Sequence, residues 1–210
     1  IHRNKICNQG KELSLTIPIN GGKKAENSKI SEISSANNGE APTSKTHWQY
    51  KHFHAFRHAY RQAPYFSNLI PFIENMYLEN TWHSISDLCW YQLCYLVENT
   101  DILKDKKIVK MSEITNSGAK DELVLNHAKL FGCDKVFFGK MGENYVRKEI
   151  FKSQDISVAF QKFDFSKHNQ QSNNFLPGLS VFDCLMNCFF DGLTEQILSQ
   201  TIPKEEIYFE

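Results

Sequence analysis

Three groups of residues in this 210-residue chain have types and spacings able to do chemistry. The first is Gly139-Lys140-Met141-Gly142, which follows a short apolar run and precedes a predicted helix containing Tyr145. Backbone amides at such a turn can meet an anion or a nucleotide phosphate. The loop matches neither the GxGxxG fingerprint nor the P-loop, and an ordinary glycine turn between strand and helix is the plainer reading. The second group is Ser180 with Asp183, three apart at the start of an apolar run. At that spacing a serine caps the helix and the carboxylate returns the bond. Structure alone therefore explains the pair, and a chemical role requires Asp183 to face a cleft instead of its own helix terminus.

The third group runs from Lys51 to His58. Lys51, His54 and His58 share one polar flank of a predicted helix, and two histidines at i and i+4 can bind a metal. No third ligand of comparable spacing accompanies them, so a solvated flank is the reading and no metal is expected. His52 falls instead among Trp48, Phe56 and Tyr60, where an imidazole must find a polar partner or stay neutral. A satisfied core histidine is the plainer reading, with a chemical role the alternative. His127 shares a face with Leu123, Val124, Ala128 and Phe131 and reads as structural. Cys184 and Cys188 share a helix face and read as core. No Ser-His-Asp order and no Cys-His spacing supports nucleophilic catalysis.

The elements that must position these residues change period along the chain. Residues 13–19 alternate apolar and polar as a half-buried strand does, and Pro18 suggests an edge. The Asn20-Gly21-Gly22 turn leads to a second short strand at 30–33, and 34–46 read as a surface loop. From His47 the period is helical: Trp48, His52, Ala55, Phe56, Ala59 and Tyr60 share a face, with Arg57 and Arg61 opposite. Ala63-Pro64 stops that helix. Tyr65-Phe66 open a second, to about Tyr77, and a third spans 86–98. Then come a strand at 107–111, a helix at 120–131, and strands at 135–138 and 156–160, an alternation that implies a parallel sheet. Two helices, at 180–188 and 193–200, close the chain. The predicted fold is α/β: a mostly parallel sheet flanked by helices, with a short N-terminal β segment and an inserted helical hairpin or triplet at about 47–98, all in one domain over 1–210.

Apolar residues at 41% and charged residues at 23% describe a packed globular protein. With 24 basic against 24 acidic side chains there is no net field to draw the chain to phosphate backbones, and nucleic acid is not an expected partner. The basic stretches at 1–5 and 104–110 read as solvated surface. The most apolar run, 89–97, is interrupted by Gln92 and is shorter than the ~20 residues of a spanning helix. The six cysteines form no CxxC pair or compact framework and read as small buried hydrophobes. No Asn-x-Ser/Thr acceptor occurs. Both features point to a reducing cytoplasm. The absence of an initiating Met suggests missing residues.

Several segments, taken in order, resemble the WbqC-like family. They are His2-Arg3-Asn4-Lys5-Ile6, the strand at 13–19, Trp48 with Lys51-His52, and Tyr60-Arg61-Gln62-Ala63-Pro64-Tyr65-Phe66. Leu130-Phe131-Gly132-Cys133-Asp134 leading to Gly139 and Tyr145 follows, then Phe175-Leu176-Pro177-Gly178-Leu179-Ser180-Val181-Phe182-Asp183 with Asn187. The resemblance runs from residue 2 to about 188. It implies a cytoplasmic transferase of bacterial O-antigen (lipopolysaccharide) or other surface-polysaccharide biosynthesis, acting on a sugar or sugar nucleotide by glycyl or acyl transfer. It implies a site in which Arg3 and Lys51 hold an anionic substrate, His52 or Asp183 handles a proton, and Gly139 and Gly142 let the backbone approach the ligand. Asn4, Tyr60, Tyr65, Tyr145 and Ser180 complete the binding set. The chain departs from the family pattern by lacking the N-terminal strand with its His-Gln-Pro segment, and by placing Glu122 where a basic side chain is expected. The alternative is a non-catalytic protein that binds a sugar nucleotide or acts as a scaffold. Donor, product, any cofactor and the oligomeric state are left open.

Overall fold

The computed structural model of the chain describes residues 2–21, 33–36, 41–115, 117–161 and 167–199. The chain divides into two compact units, Ile1–Lys106 with Phe165–Gln196, and Lys107–Asp164 with Ile197–Glu210. Each has its own apolar core.

The first unit opens with a hairpin. β1 (Arg3–Asn8) pairs antiparallel with β2 (Lys11–Thr16), Arg3 opposite Thr16 and Asn8 opposite Lys11. The two turn residues, Gln9 and Gly10, have φ of 51° and 75°, the conformation of two-residue turns whose twist suits the flanking strands. Arg3, Asn4 and Lys5 of the basic opening are exposed, as the solvated-surface reading has it, but they lie on a strand whose next residues, Ile6 and Cys7, are buried. β2 stops at Thr16, two residues before Pro18. Of the strand predicted at 30–33, residues 30–32 lie outside the described residues. Beside it, Ser34 and Ser35 form isolated bridges to Ser84 and Ile19, so part of the predicted loop is paired.

α1 (Trp48–Tyr60) is capped by His47, whose Nδ1 accepts the Gln49 N–H at 3.2 Å. Its inner face buries Trp48, His52, Phe53, Phe56, Ala59 and Tyr60. α2 (Phe66–Glu74) continues into a π turn at Asn75–Glu79. The fully buried Gln49 donates to the carbonyls of Tyr77 and Asn80 at 2.9 and 2.7 Å, satisfying acceptors that the end of that turn leaves open. α3 (Ile85–Asn99) starts at Ser84, whose Oγ accepts the Asp87 N–H at 3.0 Å. α6 (Val181–Ser199) is broken at Phe189, where φ is 58° and ψ −164°; the break falls between the two helices predicted there. Phe56, Tyr60, Leu69, Ile73, Leu185 and Met186 form the centre of this unit's core.

The second unit holds α4 (Lys120–Leu130), β3 (Lys135–Phe138), a 3-10 turn at Lys140–Asn144, α5 (Lys148–Lys152) and β4 (Ser157–Phe160). β3 and β4 pair in parallel, Lys135 opposite Ser157, over a core of Ala128, Phe138, Phe151 and Ile156. The chain is thus a mixed α/β protein with small sheets. Among the described residues the parallel sheet is this one pair, and 107–111 add no strand to it. That run places only Ile108 and Val109 between Lys107 and Lys110, too little apolar surface to hold a strand against a neighbour. Of the cysteines, Cys7 and Cys184 are buried as expected, whereas Cys89 and Cys133 are exposed.

Candidate functional site

α6 begins where Ser180 donates its N–H to the Lys5 carbonyl of β1 at 2.8 Å. The serine does turn back onto its helix, its Oγ accepting the Phe182 N–H at 3.4 Å and its carbonyl the Asp183 N–H at 2.9 Å. The carboxylate does not return the bond. Asp183 is fully buried and meets three side chains of the same unit: Tyr60 Oη donates to Oδ1 at 2.7 Å, Gln170 Nε2 donates to Oδ2 at 2.8 Å, and His168 Nε2 lies 2.8 Å from the same Oδ2. A buried carboxylate is tolerated only with such partners, and the first turn of a helix, with its exposed N–H groups, adds to them. One turn later Asn187 donates to the Asp183 carbonyl at 2.7 Å.

Tyr60 in turn accepts the Cys7 N–H at 3.1 Å, so its own hydrogen is free for Asp183. Burial, and then the nearby Asp183 charge, push the phenol far above the usual tyrosine range, which keeps it a donor. The thiols nearby are poor nucleophiles, since burial raises Cys7 and Cys188 and pushes Cys184 up to about 12.

His168 and Gln170 sit on an irregular strap. The Gln170 amide bonds both backbone groups of Leu176, accepting from N–H at 2.8 Å and donating to C=O at 3.0 Å. Turned so that its nitrogen faces Ala59, the Gln171 amide donates to the Ala59 carbonyl at 3.1 Å and accepts the Ala63 N–H at 2.9 Å at the end of α1. Gly10 lies so close that an added Cβ would stand 3.2 Å from Ser172 Cβ. The His168 ring meets Phe175 edge to face at 5.3 Å. Its side chain keeps 12% of its surface open while that of Asp183 keeps 1%, so the imidazole is the outward member of the pair. A carboxylate orienting a partly open imidazole is equipped to accept and return a proton.

Of the residues singled out from sequence, Tyr60, Ser180 and Asp183 come together here. His52 does not join them. Its Nε2 meets the Thr16 carbonyl at 3.1 Å, and its ring lies edge-on to Trp48 and Tyr77 at 5.2 and 5.8 Å. It is the satisfied core histidine, held neutral by burial that lowers its pKa to about 4. Because the folded value lies below the unfolded 6.5, the unfolded chain binds the extra proton between those values, and stability falls as pH drops from 6.5 to 4. The loss totals about 3 kcal/mol at the acid end. Urea midpoints measured across that range should fall more steeply for the wild type than for His52→Gln.

Arg3 Nε bonds Thr16 Oγ1 at 3.0 Å and Asn4 Oδ1 accepts the Lys5 N–H at 2.8 Å, both on the exposed side of the hairpin. Lys51 is exposed on α1. Tyr65 stacks on Phe189 at 5.1 Å and donates its N–H to the Met186 carbonyl at 3.1 Å. Gly139, Gly142 and Tyr145 belong to the second unit. There the Gly142 N–H is taken by the Gly139 carbonyl at 2.8 Å, and a Cβ on Gly142 would stand 2.6 Å from Phe138 Cβ. Gly142 is thus needed for side-chain packing, and its amide is not open to a ligand. Glu122, out of place in the resemblance, accepts from Arg147 Nη2 at 2.9 Å beside the main Arg147–Asp121 pair, whose hydrogen bonds hold the Asp121 carboxyl well below the usual range.

Sequence reasoning passed over His168, Gln170 and the Cys7 amide. The one available signal was a polar His-Asn-Gln-Gln run just before the Phe-Leu-Pro-Gly segment, and nothing in its spacing ties it to Asp183.

Among the described residues, no helix is long and apolar enough to cross a membrane. In comparisons with known proteins, the model of the WbqC-like protein family matches residues 1–195, which include the whole Asp183 cluster. No curated protein and no solved structure matches.

Proposed function

Since the chain belongs to the WbqC-like protein family, we propose that it is a cytoplasmic transferase of bacterial O-antigen or surface-polysaccharide synthesis that passes a glycyl or other acyl group to a sugar or sugar nucleotide. The observation that carries this reading is the buried Asp183 set against the outward His168. In acyl transfer a sugar amine or hydroxyl attacks the carbonyl carbon of the donor and loses a proton as the new bond forms. The donor's leaving group takes up a proton as its bond to that carbon breaks. His168, oriented by Asp183, takes the first proton and delivers the second. Tyr60 holds the carboxylate, and the exposed Arg3 and Lys51 of the same unit are candidates for the anionic part of the substrate. His52 is excluded from proton transfer by its place in the core.

The test is mass-spectrometric detection of acylated product when the purified chain is offered sugar nucleotides with acyl thioester and aminoacyl donors. His168→Ala should lower turnover by about 10²–10⁴-fold with the fold retained, and His52→Gln should leave turnover near wild type at pH 7.5. Full turnover in His168→Ala would remove the proposed role. Thermal stabilisation by a sugar nucleotide, with no product from any donor, would point instead to a binding protein.

A further inference from the structure

We infer that Gln170 is a positioning residue, one that fixes the His168 imidazole with its hydrogen on Nε2 and so makes Nδ1 the proton-accepting atom. What Nδ1 acts on rests on the transfer reading above; the tautomer itself does not.

The argument starts from the acceptors of Asp183. Oδ1 accepts from Tyr60, whose oxygen is already engaged by the Cys7 N–H and whose hydrogen therefore points to the carboxylate. Oδ2 receives both Gln170 and His168. Side-chain amides usually can turn over, exchanging oxygen for nitrogen. Gln170 cannot, because its oxygen accepts the Leu176 N–H at 2.8 Å while its nitrogen donates to the Leu176 carbonyl at 3.0 Å. A flip would set oxygen against oxygen and N–H against N–H. The backbone of one residue therefore dictates that an NH₂ group faces Oδ2. Fixed donors from Tyr60 and Gln170 at both oxygens favour the ionised carboxylate, which only accepts, so the nitrogen that His168 presents must bring the hydrogen. Nε2 is that nitrogen. Nδ1 is left with its lone pair, and among the described residues no hydrogen bond engages it.

Removing Gln170 opens a lone pair on Oδ2 and unclips the strap that carries His168, so the imidazole can turn and its tautomers mix. Replacing it by glutamate keeps the shape and the Leu176 N–H bond, but turns the other end from donor to acceptor against Oδ2 and the Leu176 carbonyl. It also adds a negative charge beside the imidazole, which favours the protonated ring.

The experiment is imidazole ¹⁵N NMR on the full chain, with His168→Ala to assign the His168 signals, comparing wild type, Gln170→Ala and Gln170→Glu. The neutral wild-type ring should show a single tautomer with Nε2 protonated. Gln170→Ala should show mixed tautomers, and in Gln170→Glu the pH at which His168 titrates should rise. Turnover should fall by about ten- to a hundredfold in kcat with little change in KM, and the acid limb of the pH–rate profile should move up in Gln170→Glu. A residue that only braced the strap would lower the melting temperature and move none of these. Unchanged His168 tautomer and titration in both variants would overturn the inference. Should the wild type show no transfer while the NMR changes appear, the transfer reading fails and the role of Gln170 stands.

Discussion

Asp183→Ala is expected to destabilise the protein by about 3–5 kcal/mol, because it strands three donors that now converge on one buried carboxylate. The Tyr60 hydroxyl suffers most. It is fully enclosed and has no water to turn to. Asp183→Asn separates stability from chemistry. It preserves volume, but one of its two terminal atoms becomes a donor pointed at another donor, which costs about 1–3 kcal/mol. It also removes the charge that orients His168, so turnover should fall by about 10²–10⁴-fold even where the chain is folded. Urea unfolding with an unchanged slope would report the first effect, and product formation well below the unfolding midpoint the second. An asparagine variant with wild-type midpoint and wild-type turnover would show that the carboxylate does neither.

Gly192→Ala should be nearly as damaging, although alanine is the better helix former. The left-handed backbone at Phe189 bends α6 so that Cys188 folds back over Gly192, and a Cβ added there would stand 2.3 Å from Cys188 Cβ. No rotamer change relieves a contact between two Cβ atoms, so the helix must shift, at a cost of about 3 kcal/mol or more. The bend itself stores about 1–3 kcal/mol of backbone strain, held in place by the Tyr65 ring stacked on Phe189 and by the Tyr65 N–H bonded to the Met186 carbonyl. A double-mutant cycle checks the mechanism. In a Cys188→Gly background the obstructing Cβ is gone, and Gly192→Ala should then cost little. If the two losses simply add in the unfolding midpoints, the bend is not what excludes the side chain.

These two sites differ in how far they can be read ahead of the structure. The break in α6 lies between two apolar runs at 180–188 and 193–200, and α1 announces itself by its helical period and ends at Ala63-Pro64. Such features depend on neighbours within a turn or two, so local pattern carries them. β1 escaped notice because its residues 3–8 show no clean alternation; it exists because the Gln9-Gly10 turn brings β2 beside it. The run at 107–111 erred the other way, having a strand-like look without a partner strand among the described residues.

By itself the sequence determined α1 to α4, α6 with its break, the parallel β3–β4 pair and the WbqC-like membership, through local periodicity, proline and glycine geometry and ordered motifs. It also placed Ser180 and Asp183 at the start of a helix. The helix predicted around Tyr145 is instead a 3-10 turn that ends at Asn144, and α5 begins only at Lys148. Only the tertiary structure decided that Asp183 turns from its own helix end to Tyr60, 123 positions away, and to His168, 15 away. Only the tertiary structure put His52 against the Thr16 carbonyl instead. The physical reason is that a hydrogen bond depends on distance in space, and partners brought together by packing leave no periodic trace along the chain.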